Sequence, residues 1–148
     1  MLNSLFDSST VPLLQKVASF AERRHEVLAG NIANISTPDY KTRDLPVAAF
    51  QNALKEAVAR RQPGAESNGA NWSFTAPATN PPLAKLFPAE LFQATEAPAG
   101  SVTFQDGNNR SIEHEVMEMT KNSLLQNIAI ELMNAQLNRL QAVISERA

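Results

Sequence analysis

The chain carries two histidines and no cysteine, so nucleophilic or metal chemistry would have to be built from His25, His114 and carboxylates. A nucleophile needs a base within hydrogen-bond reach, and two histidines without a cysteine offer few such pairings. His25 falls on an apolar helical row and reads as a neutral, hydrogen-bonded imidazole in a helical interface. His114 sits between Glu113 and Glu115 in the first turn of a helix and reads as a surface residue. Glu113, His114 and Glu118 could approach a metal ion, but no second histidine stands at helical spacing to complete a site. Acid–base work by paired carboxylates would fall to Asp39, Asp44, Asp106, Glu113 and Glu115. Of these, Asp39 and Asp44 flank Tyr40 in a turn, and Asp106-Gly107 reads as a turn before the last helix. Gly30 and Gly107 stand alone, so no glycine-rich loop is present to cradle a phosphate. Met117, Met119 and Met133 read as helix packing. No catalytic, cofactor-binding or metal-binding residue is assigned, no cofactor is expected, and the chain is expected not to be an enzyme.

Charge and composition narrow the partners. The formal charge is −2 over 148 residues, which supplies no basic field for nucleic acid or anionic lipid. No nucleic acid is therefore expected, and with no catalytic or cofactor-binding residue assigned, no small-molecule substrate is expected either. Arg23-Arg24 and Arg60-Arg61 read as solvated helix faces. Without cysteine, disulfides and thiolate metal sites are excluded, which is compatible with life outside the reducing cytosol without identifying a compartment. The first basic residue is Lys16, so no charged region precedes Leu2 to Phe6 as it would in a secretory signal. No run approaches the roughly 18–20 apolar residues that span a bilayer. Export of such a chain would use a route that leaves no cleavable signal.

The elements that must position these residues fall into four segments: 1–44, an N-terminal helix and turn; 45–61, a short helix; 62–107, a variable irregular or extended region; and 108–148, a long C-terminal helix. Ser8-Ser9-Thr10 offers N-caps and Pro12 suits a first helical turn. Leu14, Ala18, Ala21, His25, Leu28, Ile32 and Ile35 then recur at steps of four and three, a heptad seam. Leu13, Val17, Phe20 and Val27 form a second apolar row beside it. Thr37-Pro38 ends the helix, since the residue before proline is pushed out of the helical region. The short helix, Val47 to Arg61, carries Phe50, Leu54 and Val58 at fourfold spacing. Near the C-terminus Asn108 to Ser111 offer caps, and Glu113 and Glu115 suit the positive end of the helix dipole. The seam there runs Ile112, Val116, Met119, Ser123, Gln126, Ile130, Met133, Leu137, Leu140, Ile144, all apolar except Ser123 and Gln126. Leu124, Leu125, Ile128 and Leu132 widen its apolar face.

A helix from Ser111 to Ala148 would be on the order of 55 Å long, against a radius of gyration of about 15 Å for a compact domain of this length. One chain cannot cover so long an apolar surface, which predicts oligomeric packing. The middle holds most of the nine prolines, which forbid long helices. Its Trp72, Phe74, Leu86, Phe87, Leu91, Phe92, Val102 and Phe104 argue for short strands or ordered extended segments rather than a free linker. The expected fold is mainly α, with long N- and C-terminal helices packed as an antiparallel, coiled-coil-like pair and an irregular or short-strand middle.

The most informative stretch is Leu28 to Asp44. Asn31 and Asn34 lie three residues apart at a helix end, so they share a face. Their amides can hold helix-end carbonyls or bridge to a neighbour. Thr37-Pro38-Asp39-Tyr40 is a turn with proline at a favoured position, and Tyr40 suits anchoring at an interface. On physics alone this is a capped helix end and a turn. The string Asn31-Ile32-Ala33-Asn34 followed by Thr37-Pro38-Asp39-Tyr40 resembles, however, the N-terminal signature of bacterial flagellar rod and hook proteins. There an asparagine-rich helix end runs into Thr-Pro-Gly-Tyr. Asp39 replaces the usual glycine, and a left-handed conformation costs aspartate more.

The continuation Tyr40-Lys41-Thr42-Arg43-Asp44-Leu45, with Phe50 and Leu54-Lys55, is similar to the proximal-rod branch of the basal-body rod family. Asp106-Gly107-Asn108-Asn109 leading into Ile112 to Met119, then Asn122 and Leu124, resembles the start of that family's last helix. The resemblance covers 1–58 and 104–140; the stretch 60–103 carries no assigned motif. It implies a structural subunit of the flagellar basal-body rod, passed unfolded through the flagellar type III export apparatus without a cleaved signal. Such a subunit assembles in the periplasm as a helical tube on the inner-membrane (MS) ring. Its partners would be copies of itself, other rod proteins, that ring and its rod–ring adaptor protein. Asn31, Asn34, Thr37, Pro38, Tyr40, Arg43 and Asp44 would be its assembly signature. Leu14, Ala21, Leu28, Ile32, Ile112, Val116, Met119, Ile130, Met133, Leu137 and Leu140 are the expected helix-packing positions. Rival expectations are another axial protein of the same apparatus, a cytosolic coiled-coil adaptor and a small enzyme.

Overall fold

A computed structural model describes residues 10–61, 83–97 and 112–145. The elements, in chain order, are α1 (Val11–Ala33), β1 (Arg43–Asp44), α2 (Val47–Arg61), α3 (Leu83–Leu86), a 3-10 turn (Ala89–Phe92), β2 (Thr95–Glu96) and α4 (Ile112–Ser145). Ser8-Ser9, Trp72, Phe74, Val102, Phe104 and the stretch Asp106 to Ser111 lie outside the described residues.

α1 starts with Pro12 in its first turn, but the Thr10 side chain makes no capping bond. The helix stops at Ala33, short of Thr37-Pro38, because Asn34 folds back on it. Both the backbone N–H of Asn34, at 3.1 Å, and its side-chain amide, at 2.8 Å, donate to the Gly30 carbonyl. Two turns then follow, closed by Thr37 N–H to Asn34 O at 2.9 Å and Tyr40 N–H to Thr37 O at 3.3 Å. Asp39 sits at φ 58°, the left-handed conformation that glycine reaches without steric cost. The aspartate thus keeps the turn in a shape it does not itself favour.

The middle region returns to that turn. β1 pairs antiparallel with β2, Arg43 opposite Glu96 and Asp44 opposite Thr95, and Ala97 N–H donates to Thr42 O at 3.0 Å. α2 has the expected bounds, but its fourfold row is displaced. Phe50 and Ala57 are buried while Val58 is 40% exposed, because the inward face runs Phe50, Ala53, Leu54, Ala57. Phe20 of α1 stacks on Phe50 with ring centroids 3.9 Å apart, and Phe92 meets both edge-on at 6.1 and 6.2 Å. Such pairs add roughly 0.5–1.5 kcal/mol beyond the area they bury. With Leu13, Val17, Leu45, Phe87, Leu91 and Ala129 they make the core. The second apolar row of α1 is therefore the one that holds the middle region.

α1 and α4 pack antiparallel. Three polar links fix their direction: Asn31 to Glu115, Arg24 to Glu118 and Ala21 to Asn122. α4 has 34 residues, about 51 Å of helix, against 23 in α1, about 34 Å. The buried positions of α4 are Glu115, Asn122 and Ala129, seven residues apart. This row lies about 100° around the helix from the Val116, Ile130, Leu137 half of the heptad seam read in the sequence and about 60° from the Ile112, Met119, Met133 half. Ile112, Val116, Ile130, Leu137 and Leu140 of that seam are exposed within the subunit, and Met119 and Met133 are half-buried. On α1, Ala21 and Leu28 are buried, with Leu14 and Ile32 half-buried. Among the described residues, no helix is long and apolar enough to cross a membrane.

Candidate functional site: a buried polar lock and an exposed apolar helix

The polar residues of the α1 end converge on the inward face of α4. Asn31 is 1% exposed and uses both ends of its amide twice. Its Nδ2 donates to the Arg43 carbonyl at 2.7 Å and to Glu115 Oε2 at 3.0 Å. Its Oδ1 accepts from the Tyr40 hydroxyl at 3.1 Å and from Arg43 N–H at 3.0 Å. One side chain thereby ties α1 to the turn, to β1 and to α4. A fully satisfied buried amide avoids the penalty that an unpaired polar group would carry.

Two helical turns earlier, Arg24 makes a fork to Asp44, Nε to Oδ1 at 2.8 Å and Nη2 to Oδ2 at 2.7 Å. Nη2 also donates to Glu118 Oε2 at 2.9 Å. Asp44 in turn accepts from Leu45 N–H at 2.7 Å, fixing the start of the segment that leads into α2. Arg24 is 8% exposed, which corrects its reading as a solvated face. The planar guanidinium matches a carboxylate in two parallel bonds, and a second carboxylate takes the other N–H of Nη2. The Asp44 hydrogen bond raises the pKa of Arg24 above its ordinary value, with Glu118 adding to it and burial opposing.

Glu118 is held below the usual glutamate range, first by its hydrogen bond from Lys121 at 2.8 Å and then by Arg24, against the opposing effect of burial. Folding therefore removes a proton-binding site near the ordinary glutamate pKa of about 4.3. In that window the unfolded chain binds more protons, so stability rises with pH and is lost as pH falls through the lowered native value. Thermal unfolding followed by circular dichroism is expected to show a midpoint that is flat near neutrality and drops below about pH 4. A Glu118→Gln chain should lose part of that acid dependence.

Beyond this pair, Asn122 donates to the Ala21 carbonyl at 2.6 Å, while its Oδ1 is buried with no hydrogen-bond partner among the described residues. The same holds for Nδ1 of half-buried His25, so the expected hydrogen-bonded imidazole is not seen at that nitrogen. Of the sequence-read signature, Asn31, Tyr40, Arg43 and Asp44 come together in the lock. Asn34 stands apart and serves only its own helix end. Thr37 and Pro38 are exposed in the turn. Arg24, Glu115, Glu118 and Asn122 were not singled out as a group by the sequence. Their signal was present: Arg24 and Asn31 are seven residues apart, as are Glu115 and Asn122, which places each pair on one helix face.

On its outward sides, α4 leaves Ile112 52%, Val116 47%, Leu124 61% and Ile144 70% exposed. This arrangement holds a helix in place and presents an apolar surface.

No protein-family model matches the chain. Among curated proteins it is 31% identical to the flagellar basal body rod protein FlgB of Aquifex aeolicus, over 93% of this chain and 94% of that one. It is 27% identical to that of Bacillus subtilis, over 96% and 97%. Its identity to that of Salmonella typhimurium is 28%, over 88% of each chain.

Proposed function

The chain belongs to the FlgB family of flagellar basal body rod proteins, and so is a structural rod subunit; from that premise we propose that it builds the proximal rod. In this reading it assembles as a helical tube on the inner-membrane ring, in contact with copies of itself, other rod proteins and the ring's adaptor. It reaches the periplasm through the flagellar type III export apparatus without a cleaved signal, and it works without catalysis or a cofactor.

The observation that carries the assembly reading is the mismatch between α4 and its partner helix. α1 covers the row Glu115, Asn122, Ala129, while larger apolar side chains on α4 remain uncovered on both flanks. Contiguous apolar surface on a single chain marks an interaction face. Two distinct flanks can each meet a different neighbour, and head-to-tail contacts of that kind generate an open helix when they do not close.

The test is deletion of the gene with plasmid rescue, scoring swimming and imaging purified basal bodies by electron microscopy. Loss of the rod with the inner-membrane ring still present is the expected result. Intact basal bodies with normal swimming would overturn the assignment.

A further inference from the structure

We propose that Arg24 and Asn31 select which face of α4 turns inward, and so keep the apolar seam of that helix free for other chains. The structure poses the question directly. Apolar burial alone favours pairing α1 with the row that includes Ile112, Val116 and Ile130. Yet the row that is buried contains Glu115, Asn122 and the small Ala129, while Ile130, the next residue along, is 38% exposed.

The resolution lies on α1. Its contact face is otherwise apolar at Ala21 and Leu28, but it buries the guanidinium of Arg24 and the amide of Asn31. Against the apolar seam Arg24 would keep its fork to Asp44 and Asn31 its bonds to Arg43 and Tyr40, but each would lose its carboxylate on α4 and leave a buried N–H unpaired, which is costly. Against the polar row they meet Glu118 and Glu115 at 2.9 and 3.0 Å. The alternative pairing needs only a rotation of α4 by roughly 60–100° about its own axis. It would bury within one subunit the surface that the rod reading assigns to neighbours. A single buried polar residue fixing helix register is the best-attested use of such groups; here two act together on one face.

The selection is a property of the isolated chain, and only the purpose of the freed seam rests on the rod reading. The chain has no cysteine, so single-cysteine probes report cleanly. Ala129→Cys and Ile130→Cys are introduced separately into the full-length protein and into its Arg24→Leu/Asn31→Leu variant, and thiol labelling rates are compared at low protein concentration. In the parent, position 129 is expected to label at least about tenfold more slowly than position 130, since a buried site reacts only on local opening. In the variant the order is expected to reverse. Asn31→Leu alone should move both rates in the same directions by a smaller factor.

Unchanged rates at both positions overturn the proposal. So does rapid labelling at both, which is the behaviour of a network that holds the helices together without choosing a face. Swimming in a deletion strain separates the two readings. A reversed order with swimming lost supports both. A reversed order with swimming kept leaves the selection standing and removes the seam from the rod interface.

Discussion

An Ile130→Asp chain is expected to fold as the parent does and yet fail to restore swimming to a deletion strain. Ile130 is 38% exposed, whereas its neighbour Ala129 is 2% exposed. An aspartate at 130 can therefore keep its hydration in the isolated subunit, where surface substitutions stay within about 0.5 kcal/mol. The situation changes if that flank is covered by a neighbour. A carboxylate buried there without a partner costs about 3–5 kcal/mol, and each 1.4 kcal/mol is tenfold in affinity. One contact would weaken by two orders of magnitude or more, and the same contact recurs at every equivalent position in a helical assembly. Ala129→Asp is the informative contrast, because it puts the charge into the α1–α4 contact and should unfold the pair before assembly is reached. The readouts are circular dichroism melting of the purified chains and swimming of the complemented strain. Normal swimming with Ile130→Asp would remove this flank from the interface.

The contrast between these adjacent residues also shows what the sequence disclosed and what it concealed. Helical periodicity located α1, α2 and α4, and proline placement marked the irregular middle. The two long helices were expected to pair antiparallel, a direction that periodicity by itself does not dictate. Periodicity could not say which face of α4 meets α1, because that is decided by a hydrogen-bonded network among residues up to 101 positions apart, Asn122 with Ala21. Burial of Arg24 was hidden for the same reason. An arginine is almost never fully buried unless paired, and its partners Asp44 and Glu118 lie on two other segments. The pairing of β1 with β2 was likewise beyond local reading, since two-residue strands carry no period. By contrast, the signature around Asn31 and Tyr40 stood out in sequence because its members are close in the chain as well as in space.

The lock and the aromatic core are joined through one short segment. Asp44 takes the fork from Arg24 and also accepts from Leu45 N–H. Leu45 is 3% exposed in the core that Phe20 and Phe50 build. Pro46 then accepts from Phe50 N–H at 3.0 Å in the first turn of α2. The angle at which α2 leaves the helix pair is thus set by a carboxylate held from α1. This gives the turn an architectural role: it transmits the geometry of the helix pair to the middle region.

Asn31→Ala is expected to cost about 3 kcal/mol, since it removes four hydrogen bonds and leaves buried groups unpaired, each worth roughly 1–3 kcal/mol. Glu115, 8% exposed, loses its donor, and Arg43 N–H loses its acceptor. The half-buried Tyr40 hydroxyl can turn to water and adds little. In a chain of this size the loss corresponds to a fall of about 10 °C in the melting midpoint. Asn31→Asp should be worse than Asn31→Ala at neutral pH, because it keeps the two acceptor positions but sets a second carboxylate against Glu115. Asn34→Ala, three residues on, should cost well under about 1 kcal/mol, because its amide serves the Gly30 carbonyl, which also accepts from the Asn34 backbone N–H. Melting curves of the three variants therefore separate two asparagines that look equivalent in sequence. Similar losses at 31 and 34 would mean that the stability of the helix end resides in the turn itself, and that the bonds across to α4 contribute little.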